Sequence, residues 1–148
     1  MKYIKYYIST LTLLAAIGTC FLGEYYPSIF FVGFSLFIII GDLIIKDDSQ
    51  EKDYRFKFLL NLPMYLNFPL LVFIIMISVS VLSNASPAYF ANGIKAYLNI
   101  DLQNVRESLN IFDCILLIAL MGLFIGIMGT VPGHELVHRK KNKFDMFM

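Results

Sequence analysis

Residues Ile111–Val131 read IFDCILLIALMGLFIGIMGTV, an apolar run with a single charge, Asp113, near its start. About 20 such residues wound into an α-helix cross the roughly 30 Å hydrocarbon core of a bilayer. Just beyond it the chain turns basic, through Arg139, Lys140, Lys141 and Lys143. Between the run and the basic cluster lies Gly133-His134-Glu135-Leu136-Val137-His138, which holds both histidines of the chain. The run therefore reads as a membrane span that delivers a histidine pair to the membrane–water boundary.

The composition agrees. The chain has 148 residues, of which 58% are hydrophobic and 16% charged. That is too apolar for a soluble domain of this size and argues for an integral membrane protein. The net charge of +1 implies no bulk attraction to nucleic acid. Cys20 and Cys114 lie inside apolar runs, away from other ligand-type residues, and read as small buried hydrophobes. Tryptophan is absent, so Tyr and Phe must supply any interfacial belt. Tyr3, Tyr6, Tyr7, Tyr25, Tyr26 and Tyr54 flank the apolar runs.

Three more runs precede the last one. Lys2 and Lys5 followed by apolar Ile8–Leu22 mimic a signal peptide. Ile17-Gly18-Thr19 suits lipoprotein cleavage before Cys20 poorly, and the rest of the chain is membranous, so this stretch reads as a retained first span. Gly23-Glu24-Tyr25-Tyr26-Pro27 is a tight turn, and Ile29–Ile45 crosses back as the second arm of a hairpin. Lys46–Lys57 carries charges of both signs and reads as a solvated loop.

The third run, Phe58–Leu82, is interrupted by Pro63 and Pro69. From Pro69 to Leu82 a helix would reach only about 21 Å. The span must then include Asn61–Phe68, with a kink at Pro69. Asn61, Tyr65 and Asn67 on that half are either interfacial polar groups or one wall of an internal pocket. Ser83–Ser108 reads as a polar connector with turns at Ser86-Pro87 and Asn92-Gly93. A short amphipathic helix lying on the membrane is expected around Ile94–Val105. In the last run, Gly122, Gly126 and Gly129 form a small-residue face that predicts close approach of another helix.

The expected fold is all-α: a single transmembrane domain over residues 1–148, with four transmembrane helices in antiparallel hairpins. Four crossings put Lys2, Lys5, Lys46, Lys52, Arg55, Lys57, Arg139, Lys140, Lys141 and Lys143 on one side, and only Lys95 and Arg106 on the other. The positive-inside rule makes the first side cytoplasmic, so both termini and the histidine pair face the cytoplasm of a multi-pass inner-membrane protein. Asp42 and Asp113 are ionisable residues inside spans, where function is suspected by default. Asp42 lies within a turn of a span end and can reach water. Asp113 sits in the first turn of its helix, where a carboxylate suits the helix dipole, so both read as structural.

The histidine pair admits three readings. His134 and His138 can be two unrelated interfacial residues. On a helix, however, i and i+4 lie one turn apart on one face, the spacing at which two imidazoles can share a metal. His134-Glu135-Leu136-Val137-His138 also satisfies H-E-x-x-H, in which two His bind zinc and Glu activates a water. That reading needs a third protein ligand, for which the few candidates are Asp145, Asp42, Glu135 itself or a loop carboxylate. The third reading is iron.

The octet Gly133–Lys140 resembles the first histidine box of the membrane-bound non-haem di-iron enzymes, the fatty acid desaturase superfamily. Within it the similarity is to the alkane hydroxylase and xylene monooxygenase branch, whose box reads H-E-L-x-H followed by Lys or Arg. The resemblance implies a di-iron centre with His134 and His138 as ligands. It implies oxygen activation and insertion of one oxygen atom into a C–H bond of an apolar substrate arriving from the bilayer. Electrons would come from a rubredoxin or ferredoxin-type donor. Glu135 matches no ligand position of the family and would at most orient a histidine. Arg139 and Lys140 would anchor the helix at the headgroups or border the donor surface. A desaturase of the same superfamily carries a similar box, so that alternative stays open, beside a zinc protease and a non-catalytic membrane protein. The family carries further histidine boxes after the first. This chain is therefore expected to be the N-terminal part of a longer enzyme and inactive by itself.

Overall fold

The computed structural model describes residues 7–44, 57–83 and 88–130, and among these there is no strand. Six α-helices follow in order: α1 (Ile8–Leu22), α2 (Tyr26–Ile44), α3 (Lys57–Leu82), α4 (Ala88–Leu98), α5 (Leu102–Ser108) and α6 (Ile111–Phe124). A π-helical segment, Ile125–Thr130, continues α6. Among the described residues three helices are long and apolar enough to cross a membrane: Tyr26–Ile44, Asn61–Leu82 and Ile111–Thr130. The shorter apolar α1 packs with them. The all-α membrane fold is as expected.

α3 is central: Asn61–Leu82 is 39% buried against 11% for Tyr26–Ile44. Leu71, Ile74, Ile77 and Val81 of α3 pack among Leu13, Ala16 and Ile17 of α1 and Leu117, Leu120 and Phe124 of α6 in one core. α3 runs unbroken through Pro63 and Pro69. α2 lies at the edge and docks through aromatic edges: the rings of Phe30 and Phe34 stand 6.4 Å and 5.4 Å from that of Phe124. Many of its other large side chains, among them Ile29, Val32, Leu36 and Ile40, are exposed, as lipid-facing residues are.

The α1–α2 turn is pinned rather than free. Gly23 takes φ 68°, and a Cβ there would lie 2.6 Å from Ser108 Oγ. The neighbouring Glu24 N–H donates to Ser108 Oγ at 2.9 Å. A side chain at position 23 would occupy the space through which this turn meets α5, so glycine is needed for shape as well as for φ.

Two expectations are corrected. The connector does not carry one amphipathic helix over Ile94–Val105. It folds as α4 and α5, divided at Asn99, whose φ of 56° no helix accommodates. Asp101 then caps α5 by accepting from Gln103 N–H at 3.0 Å. Ile94, Leu102 and Val105 turn inward, so the pair is a cap on one end of the bundle. The glycine face of α6 also behaves differently. The buried residues Leu117, Leu120, Met121 and Phe124 lie on one side of the helix, and Gly122 and Gly126 fall on the other, facing open space. Only Gly129 is closely approached, with Leu71 Cδ2 at 3.0 Å from where its Cβ would stand.

Candidate functional site

His134 and His138 lie outside the described residues, as do Glu135, Arg139 and Lys140. What is described is the helix that leads to them. At Ile125–Thr130 the α-helix widens into a π-helix. The Thr130 hydroxyl can donate back to the carbonyls of Ile125, at 3.0 Å, and Gly126, at 2.9 Å. π-Helical turns cost regular hydrogen bonding and occur frequently at functional sites. This one is held on its inner side by the contact of Gly129 with Leu71 and by buried Met128.

One turn before Leu71, α3 carries Asn67, which is only 4% exposed. Its carbonyl oxygen accepts from the Thr10 hydroxyl at 2.7 Å. Its amide donates to Ser9 Oγ at 2.8 Å. The side chain is thus satisfied by α1 and ties α1 to α3. Asn61 and Tyr65 each engage an interaction of their own.

Asp42 is exposed near the end of α2. Asp113 is 4% exposed. It is the third residue of a capping box: Asn110 accepts from Asp113 N–H at 3.0 Å, and the Asp113 carboxylate accepts from Asn110 N–H at 3.3 Å. It also accepts from the Ser28 hydroxyl of α2. The structural reading of Asp113 stands, and Ser28 is a partner that local sequence does not signal.

Two cavities open on different surroundings. An apolar groove of about 430 Å³ lies between α1 and α2, bordered by Leu11, Ala15, Phe30, Gly33, Phe34 and Phe37. A polar cavity of about 530 Å³ lies at the capped end, where α3, α4 and α5 meet. Lys95 and Asp101 pair across it at 2.5 Å. That bond, and then the backbone of Gln103, hold the Asp101 carboxyl below its ordinary 3.8. Among the described residues no three His, Cys, Asp or Glu side chains come together as a metal site.

No family model, no curated protein and no solved structure matches the chain.

Proposed function

We propose that this chain is part of a membrane non-haem di-iron monooxygenase of the alkane or xylene hydroxylase type, with His134 and His138 as iron ligands. One observation carries the reading. The only two histidines stand four apart in the box His134-Glu135-Leu136-Val137-His138-Arg139-Lys140, directly after an apolar span. Imidazole-rich ligation suits iron. When bound, the metal would supply oxygen activation for hydroxylating an apolar C–H bond.

Two imidazoles do not complete such a centre, and the described residues add no ligand cluster. The remaining ligands must come from outside the described residues. In this reading the part of this chain is to supply two of the imidazole ligands, four residues apart in sequence, next to an apolar span. Arg139 and Lys140 follow the box in sequence, and basic residues beside a span suit the phosphate level. In this reading the box and both termini face the cytoplasm, where a rubredoxin or ferredoxin-type donor supplies electrons.

The test is made in the intact gene in its own host. With His134→Ala or His138→Ala, oxidation of alkanes and methylarenes falls by about a hundredfold or more, as expected when a ligand of a catalytic metal is lost. Unchanged turnover in either variant overturns the reading. Desaturated rather than hydroxylated product would assign the chain to the desaturase side of the superfamily.

A further inference from the structure

We infer that α4 is an interfacial helix whose partner is the lipid surface: it lies against the flank of α3 at the headgroup level, with Tyr89 and Tyr97 turned to the bilayer. The three sides of α4 lead to this. Phe90 and Ile94 face the bundle, where Ile94 joins the core and the ring of Phe90 meets that of Phe73 edge-on at 6.0 Å. Lys95, the one charged residue of the helix, is held by Asp101 at 2.5 Å. The remaining side carries Tyr89, Ala96 and Tyr97, which fall within about 100° of one another on a helical wheel. Tyr89 and Tyr97 are 76% and 91% exposed. A helix that meets water turns its charged and amide side chains outward. α4 turns aromatic rings outward and engages its one charge within the cap.

Phe73 sets the level of α4. It lies nine residues before Leu82, the end of α3, which is about 13 Å along the axis. A helical side chain also leans toward the N-terminus of its own helix. The ring of Phe90 therefore reaches below the end of a membrane span. Next to Phe73, α3 exposes Val72, Met76 and Val79, a lipid-facing stripe. α4 stands on the flank of that stripe, so its tyrosines continue a surface that already meets lipid. The exposed Tyr25 and Tyr26, stacked at 4.9 Å, lie at the same end, in the α1–α2 turn docked on α5. Tyrosine suits this layer, because its ring is apolar and its hydroxyl reaches headgroup oxygens. Helices with an apolar side and a polar side settle in the plane of such a boundary.

The sequence has no tryptophan, so Tyr89→Trp and Tyr97→Trp each place a single reporter in the full chain. Both are reconstituted in phosphatidylcholine vesicles at two protein-to-lipid ratios. Val72→Trp, on the lipid-facing stripe, and Asn104→Trp, exposed on α5, serve as references. Helical content equal to that of the parent shows that each variant is folded. At positions 89 and 97 the emission is expected to shift to the blue of that from Asn104→Trp. Quenching by aqueous iodide is lost relative to Asn104→Trp, and quenching by brominated phosphatidylcholine is gained, as for Val72→Trp. Both effects hold at either protein-to-lipid ratio. Reporters at 89 and 97 that are as open to iodide as Asn104→Trp, or untouched by brominated lipid, overturn the proposal. Shielding from both quenchers that fades on dilution into more lipid also overturns it, since a second copy of the chain then covers the rings.

Discussion

Ser28 donates its hydroxyl to the carboxylate of Asp113, a buried bond between residues 85 apart in sequence. The same carboxylate closes the capping box that starts the last span. One side chain thus fixes both the start of α6 and the position of the edge helix α2 against it.

Removal of that carboxylate should therefore cost more than an ordinary cap. Asp113→Ala deletes the box and leaves the Ser28 hydroxyl buried without its acceptor. The expected loss is about 2–4 kcal/mol, the sum of a cap and an unsatisfied buried group. Ser28→Ala leaves the box intact and should cost about 1 kcal/mol. Reversible unfolding in mixed micelles measures both, and equal losses would show that the cap contributes little.

Gly23→Ala tests the turn. Alanine must adopt φ 68° and place its Cβ against Ser108 Oγ. A destabilisation of about 1–3 kcal/mol is expected. Ser108→Ala in the same chain should recover the steric part and not the backbone part. A double-mutant cycle showing no coupling would contradict the close contact.

The cap on the bundle should loosen in acid. The folded-state carboxyl of Asp101 is held below its ordinary value, first by Lys95 and then by the backbone of Gln103. Its contribution is complete above its ordinary value of 3.8 and is lost as the pH falls through the depressed one. Protection factors of the α5 amides should fall on acidification from neutral pH to about 2.5, below the ordinary carboxylate range. Asp101→Asn can still cap the helix but cannot titrate, so its α5 protection should be lower at neutral pH and nearly flat with pH.

Asn67→Leu severs the tie between α1 and α3. The Thr10 hydroxyl can turn to its own helix carbonyl, as Thr12 does toward Ile8 at 2.8 Å. The cost should stay near 0.5–1.5 kcal/mol, the usual scale for interhelical hydrogen bonds in membranes. Loss of the whole fold in this variant would mean that Asn67 does more than cross-link two helices.

The spans were readable because each is a long apolar run bounded by charge or turn residues, and Ile111–Thr130 and Asn61–Leu82 fall where those runs predict. The cap was not. Ile94, Leu102 and Val105 share a core only because Asn99 turns the chain between them, and a positive φ at one residue leaves little trace in hydropathy. The glycine face shows a second limit. Spacing shows that Gly122 and Gly126 share a side of α6, but not which side the neighbours occupy. The bulk of Leu117, Leu120 and Phe124 drew the packing to the opposite face. The Ser28–Asp113 bond shows a third. Each residue looks ordinary in its own helix, and only the tertiary fold joins them. The histidine box stands on spacing and chemistry, since its residues lie outside the described ones.

The most direct test of the central claim is metal content. The intact protein is purified from membranes under anaerobic conditions and analysed for iron and zinc together, beside His134→Ala and His138→Ala. Retained iron in the parent, lost in both variants while the helical content is unchanged, is the predicted result. Zinc in place of iron, or iron that survives both substitutions, would contradict it.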